Sequence, residues 1–349
     1  MLFTTKYIPL LYTEFKLVSE EDIMNILNIE AVQVKSSFCL LSCIARFAES
    51  VNRRYEGMYS GCWGFDIKGD LNFIENNELP SLYFPFYESP LHILKNHHSI
   101  QIIEYMPNNS FEALEVIEEE LSLGLPVIIY IDLYYCAWSD FHKKKHADHF
   151  VLAIGIENNK DLICLDPFMS NSRYVLSNEN FTASYSIKEK YSNDYNFKKI
   201  NTFRLIDFED TSVSSILVNT AKRVVEDNMF DKIKTYINVF KDYKSFYSKI
   251  ISTNIKQNDF YIDLWTILEN RKDFQKAVKY EYDYSGSKLF KEIEEDFAQI
   301  VAIWDNICLI SYKAYYFEQE RRVADMYANI QEKLYNVIEL ETNAAHKLI

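Results

Sequence analysis

Residues 146–168 read HADHFVLAIGIENNKDLICLDPF. Two short apolar runs rich in Val, Ile and Leu flank ENNKD, a polar turn, so the stretch is expected to fold as an antiparallel hairpin. With the turn centred between Glu157 and Asn158, His149 falls opposite Asp166 on one face. A slip of two residues leaves the pair diagonal, still within reach of a hydrogen bond. Just upstream, GLPVIIYIDLYY from Gly124 carries a buried-strand signal in PVIIYI. From about Ala31 to Leu205 apolar runs, turn residues and helical periods alternate, the pattern of an α+β domain.

A carboxylate opposite a histidine fixes the ring's tautomer and makes it a base, which gains a purpose if a nucleophile is near. Gln33-Val-Lys-Ser-Ser-Phe-Cys39 leads from a polar loop into the apolar helical pattern LLSCIARF. Cys39 is therefore expected at a helix start, where unpaired backbone N–H groups and the helix dipole favour the thiolate. Ser36 or Ser37 is the expected cap. Gln33 lies six residues before the cysteine, close enough for its amide to serve as an oxyanion donor beside the Cys39 N–H. Cys39 as nucleophile, His149 as base and Asp166 as orienter then make a triad for attack on a carbonyl. Cys43, one helical turn on, is the rival nucleophile, but it sits within the apolar pattern rather than at its start.

The 349 residues, 48% apolar, suffice for a large core and suggest two domains or one large one. After Leu205 proline disappears and apolar residues recur at helical spacing, so residues 1–205 are expected to form the catalytic domain and residues 206–349 a helical one. Between Ser170 and Asn201 the polar and aromatic stretches SNSRY, SNENF and KEKYSNDYNF suggest long loops. The N-terminus has no secretory-signal pattern and no stretch reaches the ~18 apolar residues of a membrane span, so the expected setting is the cytoplasm, without membrane. Six cysteines without a CxxC pair are expected to be free thiols. A formal charge of −14 argues against nucleic acid as a partner.

The blocks SFCLLSCIARF, GMYSGCWGFDIKGD, GLPVIIYIDLYYC, HADHFVLAIGI and ICLDPF together resemble the butirosin-biosynthesis acyltransferase family, related to C39-type papain-like peptidases. The resemblance covers roughly residues 31–205. It implies a papain-like cysteine protease fold with a helical C-terminal domain, the roles given above for Cys39, His149, Asp166 and Gln33, and no cofactor. It further implies an acyltransferase of natural-product (nonribosomal peptide) biosynthesis. Such an enzyme takes its acyl group from an acyl carrier protein (peptidyl carrier protein) thioester and delivers it to a small amine. Many C39-type peptidases carry Cys-Gly at the nucleophile, whereas Leu40 follows Cys39 here, a departure that counts against leader-peptide cleavage.

Tyr134, Tyr135, Trp138 and Trp63 are candidate walls of an acyl pocket, with core packing as the alternative. His142, His146 and His149 have metal-site spacing, but the Glu of HExxH is missing and three lysines intervene, which argues against a metal. Lys143–Lys145 form a cationic run that suits an acidic carrier protein, or is a solvated loop. His97 and His98 read as a solvated pair. A peptidase or thioesterase with the same triad and a non-catalytic binding protein are the competing functions. The helical domain is open between covering the site, forming a homodimer and binding the carrier.

Overall fold

The computed structural model describes residues 23–24, 26–68, 81–157, 159–191, 200–206, 210–238, 259–316 and 320–349. The remainder of GMYSGCWGFDIKGD beyond Lys68 and the stretch 192–199 lie outside them. The fold is α+β, with a helical C-terminal region behind an antiparallel sheet. The first helix is α1 (Cys39–Ser50). It is followed by β2 (Asp66–Lys68), β3 (Ser81–Tyr83), α2 (Pro90–His97), β4 (Ile100–Tyr105) and α3 (Ser110–Ser122). Then come β5 (Val127–Asp132), β6 (Asp148–Glu157), β7 (Leu162–Leu165), β8 (Arg173–Leu176), α4 (Asn178–Tyr191) and β9 (Ile200–Leu205). A two-residue strand, β1 (Ile23–Met24), precedes them all.

The large sheet runs β4-β9-β5-β6-β7-β8, and β1 joins β6 where β5 has ended. Every residue of β5 is buried, as expected for a central strand covered on both faces. Alternate residues feed two cores. Ile128, Leu152, Ile154, Ile163 and Leu165 pack on the side of α1, whereas Val127, Ile129, Ile131, Val151 and Ala153 pack towards α3 and α4. Residues 41–48 of α1 are buried without a break, so this helix is enclosed on all sides and its first residue is held in place by the body of the protein.

The hairpin forms as expected, but its register differs. Leu152 pairs with Leu165 and Ala153 with Cys164, and a bulge between Ala153 and Gly155 shifts the rest by one. Continuing the pairing by one position sets Asp166 across from Val151, so His149 and Asp166 are diagonal rather than opposite. The segment after Ser170 is also more ordered than its composition suggests. It contains β8 and α4, because Phe181 and Tyr185, one helical turn apart, both bury against the α3 side of the sheet. The Tyr185 hydroxyl donates to the Pro107 carbonyl at 2.6 Å.

Past Leu205 lie α5 (Ser214–Glu226), α6 (Met229–Asn238), α7 (Asp259–Ser285), α8 (Lys288–Tyr315) and α9 (Glu320–Leu348). Gly286, at φ +66°, turns the chain between α7 and α8 and caps α7 through its N–H to the Tyr282 carbonyl. One hydrophobic cluster includes Cys43, Ile44 and Phe47 of α1 together with Leu264, Phe274, Trp304 and Val337 of the C-terminal helices. The core thus continues across residue 205. Trp63 lies inside that core, fully buried against Phe274 and Phe297, and its indole N–H donates to Glu341 at 2.9 Å. It lines no acyl pocket, because a ring enclosed in this way has no face left for a ligand. Among the described residues no helix is long and apolar enough to cross a membrane.

Candidate active site

Cys39 is the first residue of α1, after Phe38, whose extended backbone (φ −137°, ψ 140°) ends the incoming loop. Neither Ser36 nor Ser37 caps the helix, contrary to expectation. Both are buried and turn to Asp273 of α7, with Ser36 Oγ, Ser37 Oγ and the Ser37 N–H donating to its Oδ2 at 2.8, 2.8 and 2.7 Å.

His149, near the start of β6, is 3% exposed and Asp166 wholly buried, and Nε2 lies 2.9 Å from Asp166 Oδ1. The Cys39 side chain is near enough to the ring to act on its titration. With Nε2 committed to Asp166, Nδ1 is the nitrogen that serves the thiol. The structure therefore brings Cys39, His149 and Asp166 into one chain of contacts. Burial pulls the His149 pKa down. The hydrogen bond to Asp166, the neighbouring Cys39 side chain and the charges of both groups outweigh it and bring the imidazole up to about 9. At neutral pH the ring holds its proton.

Asp166 is gripped by more than the histidine. Its Oδ1 also accepts the Met169 N–H at 3.1 Å, and its Oδ2 accepts the Trp138 indole N–H at 3.0 Å. Trp138 is thus a support for the carboxylate rather than a pocket wall, and its ring is held by stacking on Tyr174 at 4.7 Å. Tyr134 and Tyr135 make their ring contacts with each other and with His146, Tyr134 stacking on the imidazole at 4.4 Å. His146 Nδ1 in turn meets Asp132 Oδ2 at 2.6 Å.

Gln33 is partly buried beside the segment after Asp166. Its side-chain amide donates to the Phe168 carbonyl at 2.9 Å, its backbone N–H donates to Asn171, and Val34 N–H bonds the Pro167 carbonyl. One amide hydrogen is used in this way and a second remains on the same nitrogen. Phe168 meets the His149 ring edge-on at 5.9 Å and Trp265 of α7 at 6.0 Å.

Neither the family models nor the curated proteins contain a match to this chain. The assignment of the site therefore rests on its own geometry.

Two residues near the thiol were read in the sequence only as parts of a strand and a helix. Tyr130 of β5 has a hydroxyl whose pKa is raised by burial, by Asp148 and by the nearby Cys39, so the phenol is neutral on the thiol's side of the sheet. PVIIYI offers no sign of this, since Tyr130 is one more apolar-face residue in the pattern. Asp273 is the other, and no local signal marks it, since Glu269, Asn270 and Lys276 lie on the same side of the helix. Cys43 is no rival for the chemistry: it is fully buried, donates to the Phe150 carbonyl at 3.5 Å, and its thiol is pushed well up by burial and then by Cys39, Asp166 and Cys164. All six cysteines are free, and Cys39 alone among them is not buried.

His97 and His98 are not a solvated pair. His97 Nδ1 bonds Thr211 Oγ1 at 2.7 Å, and His98 is wholly buried, with Nδ1 3.2 Å from Asp210. Lys143–Lys145 are exposed on the loop that joins Trp138 to His149. Among the described residues no group of three or more His, Cys, Asp or Glu side chains could hold a metal ion. A cleft of about 380 Å³ between Tyr87–Glu88 and the Asn219–Glu226 side of α5 shares no residue with the triad.

Proposed function

We propose that this chain is a papain-like cysteine enzyme of the butirosin-biosynthesis acyltransferase type. It forms amides by moving an acyl group from a carrier-protein thioester through Cys39 to a small amine. The observation that carries the reading is the buried His149–Asp166 pair, 2.9 Å long, with the Cys39 side chain near enough to raise the imidazole and the cysteine at the start of an enclosed helix. A nucleophile-bearing helix set against an antiparallel sheet that supplies the base and its orienting acid is the arrangement expected of the papain-like fold. The amide-forming enzyme of closthioamide biosynthesis is the member of the type that we propose for comparison.

In the first step, with the Cys39 proton already passed to His149, the sulfur attacks the donor carbonyl, a new C–S bond forms, and the bond to the carrier sulfur breaks. His149, protonated at neutral pH, gives its proton to the departing carrier thiolate. In the second step the amine nitrogen attacks the acyl-enzyme, a C–N bond replaces the C–S bond, and the proton lost from nitrogen returns to His149. The Cys39 N–H and the remaining amide hydrogen of Gln33 are the donors for the oxyanion in both steps. Asp166, held by Trp138 and Met169, keeps the imidazole turned to the sulfur throughout. The exposed Lys143–Lys145 run offers an acidic carrier a docking point next to the loop that carries Trp138.

The test is product analysis with an acylated carrier protein, with and without added amine. The reading expects amide that forms only when amine is present. Free acid alone, whatever amine is supplied, would assign the same triad to a thioesterase, and turnover by Cys39→Ala would remove the triad from the reaction.

A further inference from the structure

We infer that Asp273, on the C-terminal helix α7, is the positioning residue that sets Cys39 against His149. This rests on the reading of Cys39 as nucleophile. The carboxylate is wholly buried and grips Ser36 and Ser37, two of the residues that lead towards the nucleophile. Its Oδ2 takes both serine hydroxyls and the Ser37 N–H, all at 2.7–2.8 Å. Its Oδ1 takes Lys276 Nζ at 2.8 Å, and the same ammonium donates to the Lys35 carbonyl at 2.8 Å. No side chain caps α1 at Phe38, and its first turn carries no acid. What fixes the entry of the chain into that helix is thus a carboxylate more than 230 residues away in sequence.

An aspartate is a poor helix-interior residue, and a buried carboxylate is tolerated only with its lone pairs satisfied. Here four donors satisfy it, and three of them come from the loop before Cys39. The position of the thiol therefore depends on α7. Trp265, two turns earlier on the same helix, meets Phe168 beside His149, so α7 touches the approaches to both the nucleophile and the base. The C-terminal helices act as a brace for the site, which gives the helical region a role that needs neither a second subunit nor a carrier.

Alkylation of Cys39 by iodoacetamide tests this without any acyl substrate, because the other five cysteines are buried in the folded protein. Asp273→Asn is expected to slow alkylation at pH 7 by about tenfold, the scale of a small misplacement of a reacting group. In a His149→Gln background the same substitution is expected to change the rate less than about twofold, since the alignment it protects is already gone. With an acylated carrier, kcat is expected to fall while KM stays within about twofold. An equal slowing in both backgrounds, or no slowing in either, would overturn the proposal. Should Asp273→Asn fail to fold, the Ser36→Ala/Ser37→Ala pair removes two of the three loop donors and must give the same background-dependent result. Turnover by Cys39→Ala would instead sink the nucleophile reading, whatever the alkylation rates.

Discussion

Two histidine–aspartate pairs have histidines three residues apart, His146 in the loop before β6 and His149 on the strand, and they differ in what surrounds them. His149–Asp166 is buried at both ends, 2.9 Å long, with Trp138 and Met169 holding the carboxylate and the Cys39 side chain near the ring. His146–Asp132 has a nearly as buried carboxylate and a shorter contact of 2.6 Å. Its imidazole, however, is 44% exposed and stacks on Tyr134. Asp132 spends its other oxygen on the N–H groups of Tyr134 and Ala147, so it folds the loop between β5 and β6. Equal pair chemistry thus gives two outcomes. What separates them is the arrival of a helix start carrying a cysteine.

The largest expected break in this comparison comes from removing the partners that only the inner pair has. Cys39→Ala and His149→Ala should each lower turnover by at least about 10³-fold, whereas His146→Ala should leave it within about twofold, measured as amide formed from an acylated carrier. Next, Asp166→Asn should cost about 10²-fold in kcat, because the amide favours the wrong tautomer of His149; Asp132→Asn should mainly lower the melting temperature. Equal losses from the two substitutions would erase the distinction drawn here. Trp138→Phe keeps the stacking on Tyr174 but removes the N–H to Asp166, and about a tenfold loss in kcat with little change in KM is expected.

The smallest effect is on stability against pH. His149 is raised in the folded protein to about 9 from an ordinary value near 6.5, so the stabilisation it provides is fully present below about pH 6.5 and disappears as pH rises through about 9. Urea unfolding midpoints should fall across that window, and His149→Gln should flatten this part of the curve. Activity that depends on the imidazolium should decline over the alkaline end of the same range.

The hairpin and the cysteine at a helix start were legible because each is a local signal: strand-forming runs around a polar turn, and a polar loop ending in an apolar helical period. The helical region beyond residue 205 was legible for the same reason. The register was not, since the bulge between Ala153 and Gly155 depends on how the twisted strands pack. Ser36 and Ser37 look like helix caps until Asp273 arrives from α7. No local pattern could reveal a partner so far along the chain. Trp63 and Trp138 were both read as candidate pocket walls, with core packing as the alternative, because an aromatic ring suits either place. Their N–H groups decide otherwise, one committed to Glu341 in the core and the other to Asp166 in the site. The segment after Ser170 hid α4 because its buried face rests on two aromatic residues among polar ones.

The central claim is that Cys39 carries the acyl group. Its most direct test is a single turnover with acylated carrier protein in the absence of amine, quenched in acid and followed by mass spectrometry of the digested chain. The account predicts the acyl mass on the peptide containing Cys39, absent from Cys39→Ala and discharged as amide when amine is added before the quench. An adduct on any other residue, or amide formation without an acyl-enzyme in the Cys39→Ala protein, would contradict it.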